Sequence, residues 1–72
     1  MKTISQINEE LHCDCMTIKK FASYVKRRVF IPYDGFGYYH DGENETEIKV
    51  SFDYDDIMSH VKEYPYVCWY NK

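Results

Sequence analysis

No stretch of this sequence approaches the roughly 20 consecutive apolar residues that a membrane-spanning helix needs, and a soluble protein is expected. The opening MKTISQINEE turns polar at once and lacks the apolar centre of a secretory signal. Cysteine is scarce and odd in number, with three among 72 residues. Small secreted domains are commonly stapled by several disulfides, and three cysteines cannot complete such a framework. A reducing, cytoplasmic setting is therefore expected. Two prolines and three glycines leave no room for a flexible linker, and no segment repeats or falls to low complexity.

What is present is aromatic and unevenly charged. Eight tyrosines dominate an aromatic content of 18%, and apolar residues make up 44%, enough for a folded globule. A chain this short forms one domain, residues 1–72, with a modest core. The net charge of −3 does not by itself suggest nucleic-acid binding. Its distribution is more informative: residues 1–32 carry +3 and residues 33–72 carry −6. A basic N-terminal half precedes an acidic C-terminal half.

Helix signals come first. Thr3 followed by Gln6 is a capping box, and Ile4, Ile7 and Leu11 recur at helical spacing. They predict a short helix from Ile4 to about Leu11. Asp14 is the next good N-cap. After it Ile18, Phe21, Ala22, Val25 and Val29 trace one helical face, predicting a second helix from about Cys15 to Arg28, ended before Pro32. Asp-Gly pairs at 34–35 and 41–42 mark turns. FGYYH and ETEIKVSF flank DGEN, so a hairpin is expected, with Ile48, Val50 and Phe52 pointing inward. Asp53 caps a third predicted helix, with Asp55 and Asp56 in its first turn, Ile57, Val61 and Tyr64 on its apolar side and Pro65 as its stop. YVCWYNK reads as a last strand or a packed tail.

The order helix, corner, helix, hairpin, helix resembles the small excisionase and MerR-type winged helix-turn-helix proteins. The likeness rests on Leu11, the HCD corner, Asp14 as cap, TIKKF opening the second helix, RRVFIPY leading into a wing and VSFDYDDIMSHV leading into the third helix. It covers residues 3–62. It implies an α+β winged-helix fold whose second helix enters the DNA major groove.

The residues themselves support contact with phosphates. Lys19, Lys20, Ser23, Lys26 and Arg27 lie opposite the apolar stripe of the second helix, with no acid among them. An ordinary solvated helix face more often balances its charges. The leading functional expectation is a phage-type regulator or excisionase-like architectural factor that binds duplex DNA, as a homodimer or beside another protein. The alternative is a phage-type inhibitor or adaptor that imitates DNA or docks on a basic host protein. It would use Tyr38, Tyr39, Glu43, Glu45 and Glu47 around the hairpin. Those acids also fit a soluble edge hairpin, and Tyr33, Phe36, Tyr38 and Tyr39 also fit core packing.

Catalysis finds little support. His12, His40 and His60 stand apart, and no nucleophile elbow, phosphate loop or zincin motif occurs. HCDC, residues 12–15, is the one stretch dense in metal-ligating types. It offers C-x-C rather than the usual spacing, and Cys68 is the only further cysteine. A Cys3His set with Cys13, Cys15 and Cys68 can be drawn, but nothing in the spacing demands it. A Cys13–Cys15 bridge would be strained. No metal or cofactor is expected. Cys13 reads as a small apolar plug under the corner, and Asp14 as the cap of the next helix.

Overall fold

A computed structural model describes residues 1–28 and 35–71. Among them are three helices and one four-stranded antiparallel sheet, in the order α1 (Ile4–Leu11), β1 (Asp14–Thr17), α2 (Ile18–Arg27), β2 (Gly35–His40), β3 (Glu45–Lys49), α3 (Tyr54–Ser59) and β4 (Tyr66–Asn71). The strands lie in the order β1-β4-β2-β3, so β4 and β2 are the inner strands.

Helix α1 starts where its capping box places it. The Thr3 hydroxyl accepts the Gln6 N–H at 3.2 Å, and the Gln6 side chain accepts the Thr3 N–H at 2.8 Å. It stops at His12, whose φ of 52° lies in the left-handed region that helix ends commonly adopt.

The corner after α1 differs from expectation. Residues 14–17 form a strand, and α2 begins three residues later than Cys15. Cys15 and Met16 are both apolar and take opposite sides of the sheet, pairing with Cys68 and Val67 of β4. That pairing holds them extended. The helix cap is therefore Thr17, whose hydroxyl accepts the Lys20 N–H at 3.1 Å, and not Asp14, the exposed first residue of β1. Helix α2 ends at Arg27, with Arg28 in the left-handed region at φ 55°. Val29, Pro32 and Tyr33 lie outside the described residues.

The hairpin forms at DGEN. Asp41 Oδ1 accepts the N–H groups of Glu43 and Asn44 at 2.8 and 2.7 Å, and Gly42 turns the chain at φ 102°. The ladder between β2 and β3 is irregular between Tyr38 and His40. This breaks the expected alternation. Val50 is buried, but Ile48 and Phe52 remain 40% and 49% exposed. Phe52 nonetheless lies against the rings of Phe21 and Trp69.

Asp53 caps α3 by accepting the Asp55 N–H at 3.2 Å. The helix is shorter than expected. It ends at Ser59, and residues 60–63 continue as turns toward Pro65, with Val61 and Tyr64 still packed on the core. The C-terminal segment is an inner strand whose Val67, Cys68 and Trp69 are fully buried.

The sheet divides the apolar residues into two layers. On one face α2 and α3 bring Phe21, Ala22 and Ile57 onto Met16, Tyr39, Val67 and Trp69. On the other, α1 brings Ile7 onto Cys15 and Cys68, with Ile4, Leu11, Cys13, Tyr66 and Tyr70 around them. Helices α1 and α2 thus pack on opposite faces of the sheet, with β1 as the link between them. The hairpin is the edge half of the same sheet.

Candidate nucleic-acid interface

Helix α2 faces the sheet with Ile18, Phe21 and Ala22, keeps Tyr24 and Val25 half-buried against the core, and turns its opposite side outward. At 100° per residue, Lys19, Ser23, Lys26, Arg27 and Lys20 fall in one contiguous arc opposite that stripe. The four cations are exposed and Ser23 is half-buried. Lys26 and Arg27 occupy the last turn, where positive charge is favoured by the helix dipole. The sequence therefore placed all five of these residues on one surface, and the structure keeps them there.

Two features of this surface depend on the tertiary fold. The first is aromatic support. The Lys26 ammonium lies 4.8 Å from the centre of the Tyr54 ring on α3, and Lys20 and Arg27 each lie 5.8 Å from the Tyr24 ring. Such contacts hold long flexible side chains without neutralising them. The second is a groove of about 370 Å³ between α2 and α3, lined by Lys19, Ser23, Lys26, Arg27, Tyr54 and Met58. Its floor is apolar and its α2 rim is cationic. Tyr24, Tyr54 and Met58 were not singled out from the sequence for this role. A Tyr within four residues of each of two cations was the available signal for Tyr24.

The charge on α2 is not spent within the described residues. The two ion pairs there join the N-terminal amine to Glu43 and Lys2 to Glu10, at 2.8 Å each. Neither involves α2.

The hairpin residues are dispersed by comparison. Tyr39 is fully buried against the α2 and α3 layer, its ring 4.6 Å from that of His60 and 5.6 Å from that of Tyr64. It is unavailable to a partner, because alternation along β2 sends it to the face opposite Tyr38. Tyr38 is half-buried and edge-on to Phe36. Glu43 is engaged by the N-terminal amine, and Glu45 accepts the Tyr70 hydroxyl. Glu47 is exposed. Tyr39 thus lies apart from Tyr38, and Glu43 and Glu45 already hold partners.

The histidines are also separate. His40 is buried and its Nδ1 accepts the Gly42 N–H at 2.9 Å, whereas His60 is half-buried at the end of α3 and His12 is exposed. Among the described residues, no three His, Cys, Asp or Glu side chains are arranged to hold a metal ion. No helix among them is long and apolar enough to cross a membrane.

No protein-family model matches the chain. No curated protein and no solved structure matches it either.

Proposed function

We propose that the chain binds nucleic acid, with duplex DNA as its ligand, through the outward face of α2. The observation that carries this reading is the contiguous arc of Lys19, Lys20, Lys26 and Arg27, with no acid on the helix and no ion pair to it among the described residues. Unpaired cations on one rigid element release counterions when they meet phosphates, which drives association. A ten-residue helix is about 15 Å long, short enough to lie within a major groove. In this reading α2 takes the part of the recognition helix in winged-helix proteins, and α3 rather than α1 lies beside it. One helix makes few contacts, so the chain acts as a dimer or beside another DNA-bound protein.

Titration of random-sequence duplex DNA at increasing salt tests this. Affinity falls steeply with salt, and Lys19→Ala, Lys20→Ala and Lys26→Ala each reduce the logarithmic slope by about one. Absence of binding at low salt overturns the reading.

A second reading is capture of a basic host protein on the other face of the sheet, as an inhibitor or adaptor. It draws on Phe36, which is 37% exposed and stacks on Tyr70 beside the Glu45 carboxylate. Recovery of one host protein from nuclease-treated lysate, lost in Phe36→Ala, would favour it over DNA binding.

A further inference from the structure

The three cysteines meet in space, although the sequence separates Cys68 from the other two. Cys15 of β1 and Cys68 of β4 are directly opposed in the antiparallel ladder, and both lie in the small apolar cluster under α1. Their pairing class follows from the neighbouring hydrogen bonds. The Ile18 N–H donates to the Pro65 carbonyl at 2.9 Å, so that end of the ladder is a hydrogen-bonded pair. The Cys15 N–H points away from β4 and donates instead to Asn8 Oδ1 at 2.5 Å. Hydrogen-bonded and non-hydrogen-bonded pairs alternate along an antiparallel ladder, which makes Cys15 and Cys68 a non-hydrogen-bonded pair. Such pairs have Cα atoms about 4.5 Å apart and close side chains, within the span a disulfide bridges.

The thiols are already in contact. Cys15 and Cys68 pack in one cluster, and the interaction between their thiols pulls the Cys15 pKa down and pushes that of Cys68 up. Cys13 also touches Cys68, but desolvation raises its pKa. It lies outside the β1–β4 register, which covers residues 14–17.

We propose that Cys15 and Cys68 form a thiol-oxidation site at which hydrogen peroxide closes a cross-strand disulfide, fastening the edge strand β1 to the inner strand β4. The Cys15 thiolate attacks one peroxide oxygen. The O–O bond breaks, a sulfenic acid forms on Cys15, and the released hydroxide takes up the thiol proton as water. The Cys68 sulfur then attacks the Cys15 sulfur. The S–S bond forms, the S–O bond breaks, and the hydroxyl leaves as water with the Cys68 proton. Two thiols are oxidised by two electrons and one peroxide is reduced to two waters. Because β1 runs straight into the Thr17 cap, the bond also fixes the base of α2.

The test is hydrogen peroxide treatment of the reduced chain, followed by alkylation and peptide mass mapping without reductant. The expected product is two hydrogens lighter, carries one alkylatable thiol at Cys13, and yields a peptide linking Cys15 to Cys68. Its unfolding midpoint rises by about 10 °C or more, as a disulfide closing a long loop in a small domain should produce. Cys13→Ser keeps the cross-link. Cys68→Ser loses it, and since Cys68 is fully buried the wild-type mapping and Cys13→Ser decide the matter if that variant does not fold. Three alkylatable thiols at unchanged mass, links between chains only, or a Cys13–Cys68 link as the sole product each overturn the proposal.

Discussion

Gly37 of β2 lies beneath the indole of Trp69, its direct partner in β4. A Cβ added at Gly37 would stand 2.6 Å from Trp69 Cε3 and 3.3 Å from the Cys68 carbonyl oxygen. The absence of a side chain there lets the largest core residue lie flat on the inner strands.

Gly37→Ala therefore forces the indole or the strand to move. The expected loss is about 1–3 kcal/mol, the usual range for overpacking a filled core. Urea unfolding followed by Trp69 fluorescence measures it, and wild-type stability in the variant would show that the ring has room to shift.

Among the described residues, Asn8 makes the only hydrogen bond from α1 to the backbone of β1, accepting the Cys15 N–H. Asn8→Ala leaves that donor without its acceptor, and about 1–2 kcal/mol of stability is lost. Asn8→Asp keeps an acceptor and is expected to lose less. Chemical denaturation of the two variants side by side distinguishes them; equal losses would assign the effect to packing.

Burial pushes the His40 pKa below the ordinary histidine value, with Lys2 acting the same way and Asp41, Glu45 and Glu10 opposing. The folded state thus binds this proton less readily than the unfolded chain. The corresponding stability is complete above about pH 6.5, the unperturbed value, and is lost as pH falls through the folded pKa. Protonation also removes the acceptor for the Gly42 N–H at the hairpin turn. The unfolding midpoint should fall between pH 7 and pH 5, and His40→Gln should flatten that fall. Asp41, held low by the N–H groups of Asn44 and Glu43, and Glu43, held low by the N-terminal amine, act in the same direction only at more acid pH.

Tyr24 should matter to binding without carrying charge. Tyr24→Leu keeps the apolar bulk of the helix but removes the ring that Lys20 and Arg27 share. DNA affinity is expected to drop about two- to fivefold, equivalent to about 0.5–1 kcal/mol for exposed cation–π support. The salt slope should stay unchanged because no cation is removed. A lower slope measured by fluorescence anisotropy would mean that the ring positions the cations on phosphates rather than merely restraining them.

Much of the fold was legible because its signals are local. Thr3 with Gln6, Asp53 before its helix, and the Asp-Gly turn each satisfy backbone groups within three residues, so the sequence is sufficient to place them. The cationic face of α2 was legible for the same reason. Helical periodicity assigns Lys19, Ser23 and Lys26 to one side whatever the helix packs against.

The errors concern residues whose conformation is decided by distant partners. Nothing within DCMT opposes a helix, and Asp14 is a good cap by type. The segment is a strand because Val67 and Cys68, distant in sequence, offer it a ladder and two apolar layers to enter. Tyr38 and Tyr39 look equivalent in sequence, yet an inner strand covered on both faces sends one to α1's layer and buries the other under α3.

The sequence by itself determined the caps of α1 and α3, the hairpin turn and the sign and side of the charge on α2, since each depends on groups a few bonds or one helical turn apart. Only the tertiary structure decided that the corner between the first two helices is a strand, that the α2 cations stand beside Tyr54 and Met58, and that Cys15 faces Cys68. Those relations come from strand pairing and layer packing, which join residues that no local rule connects.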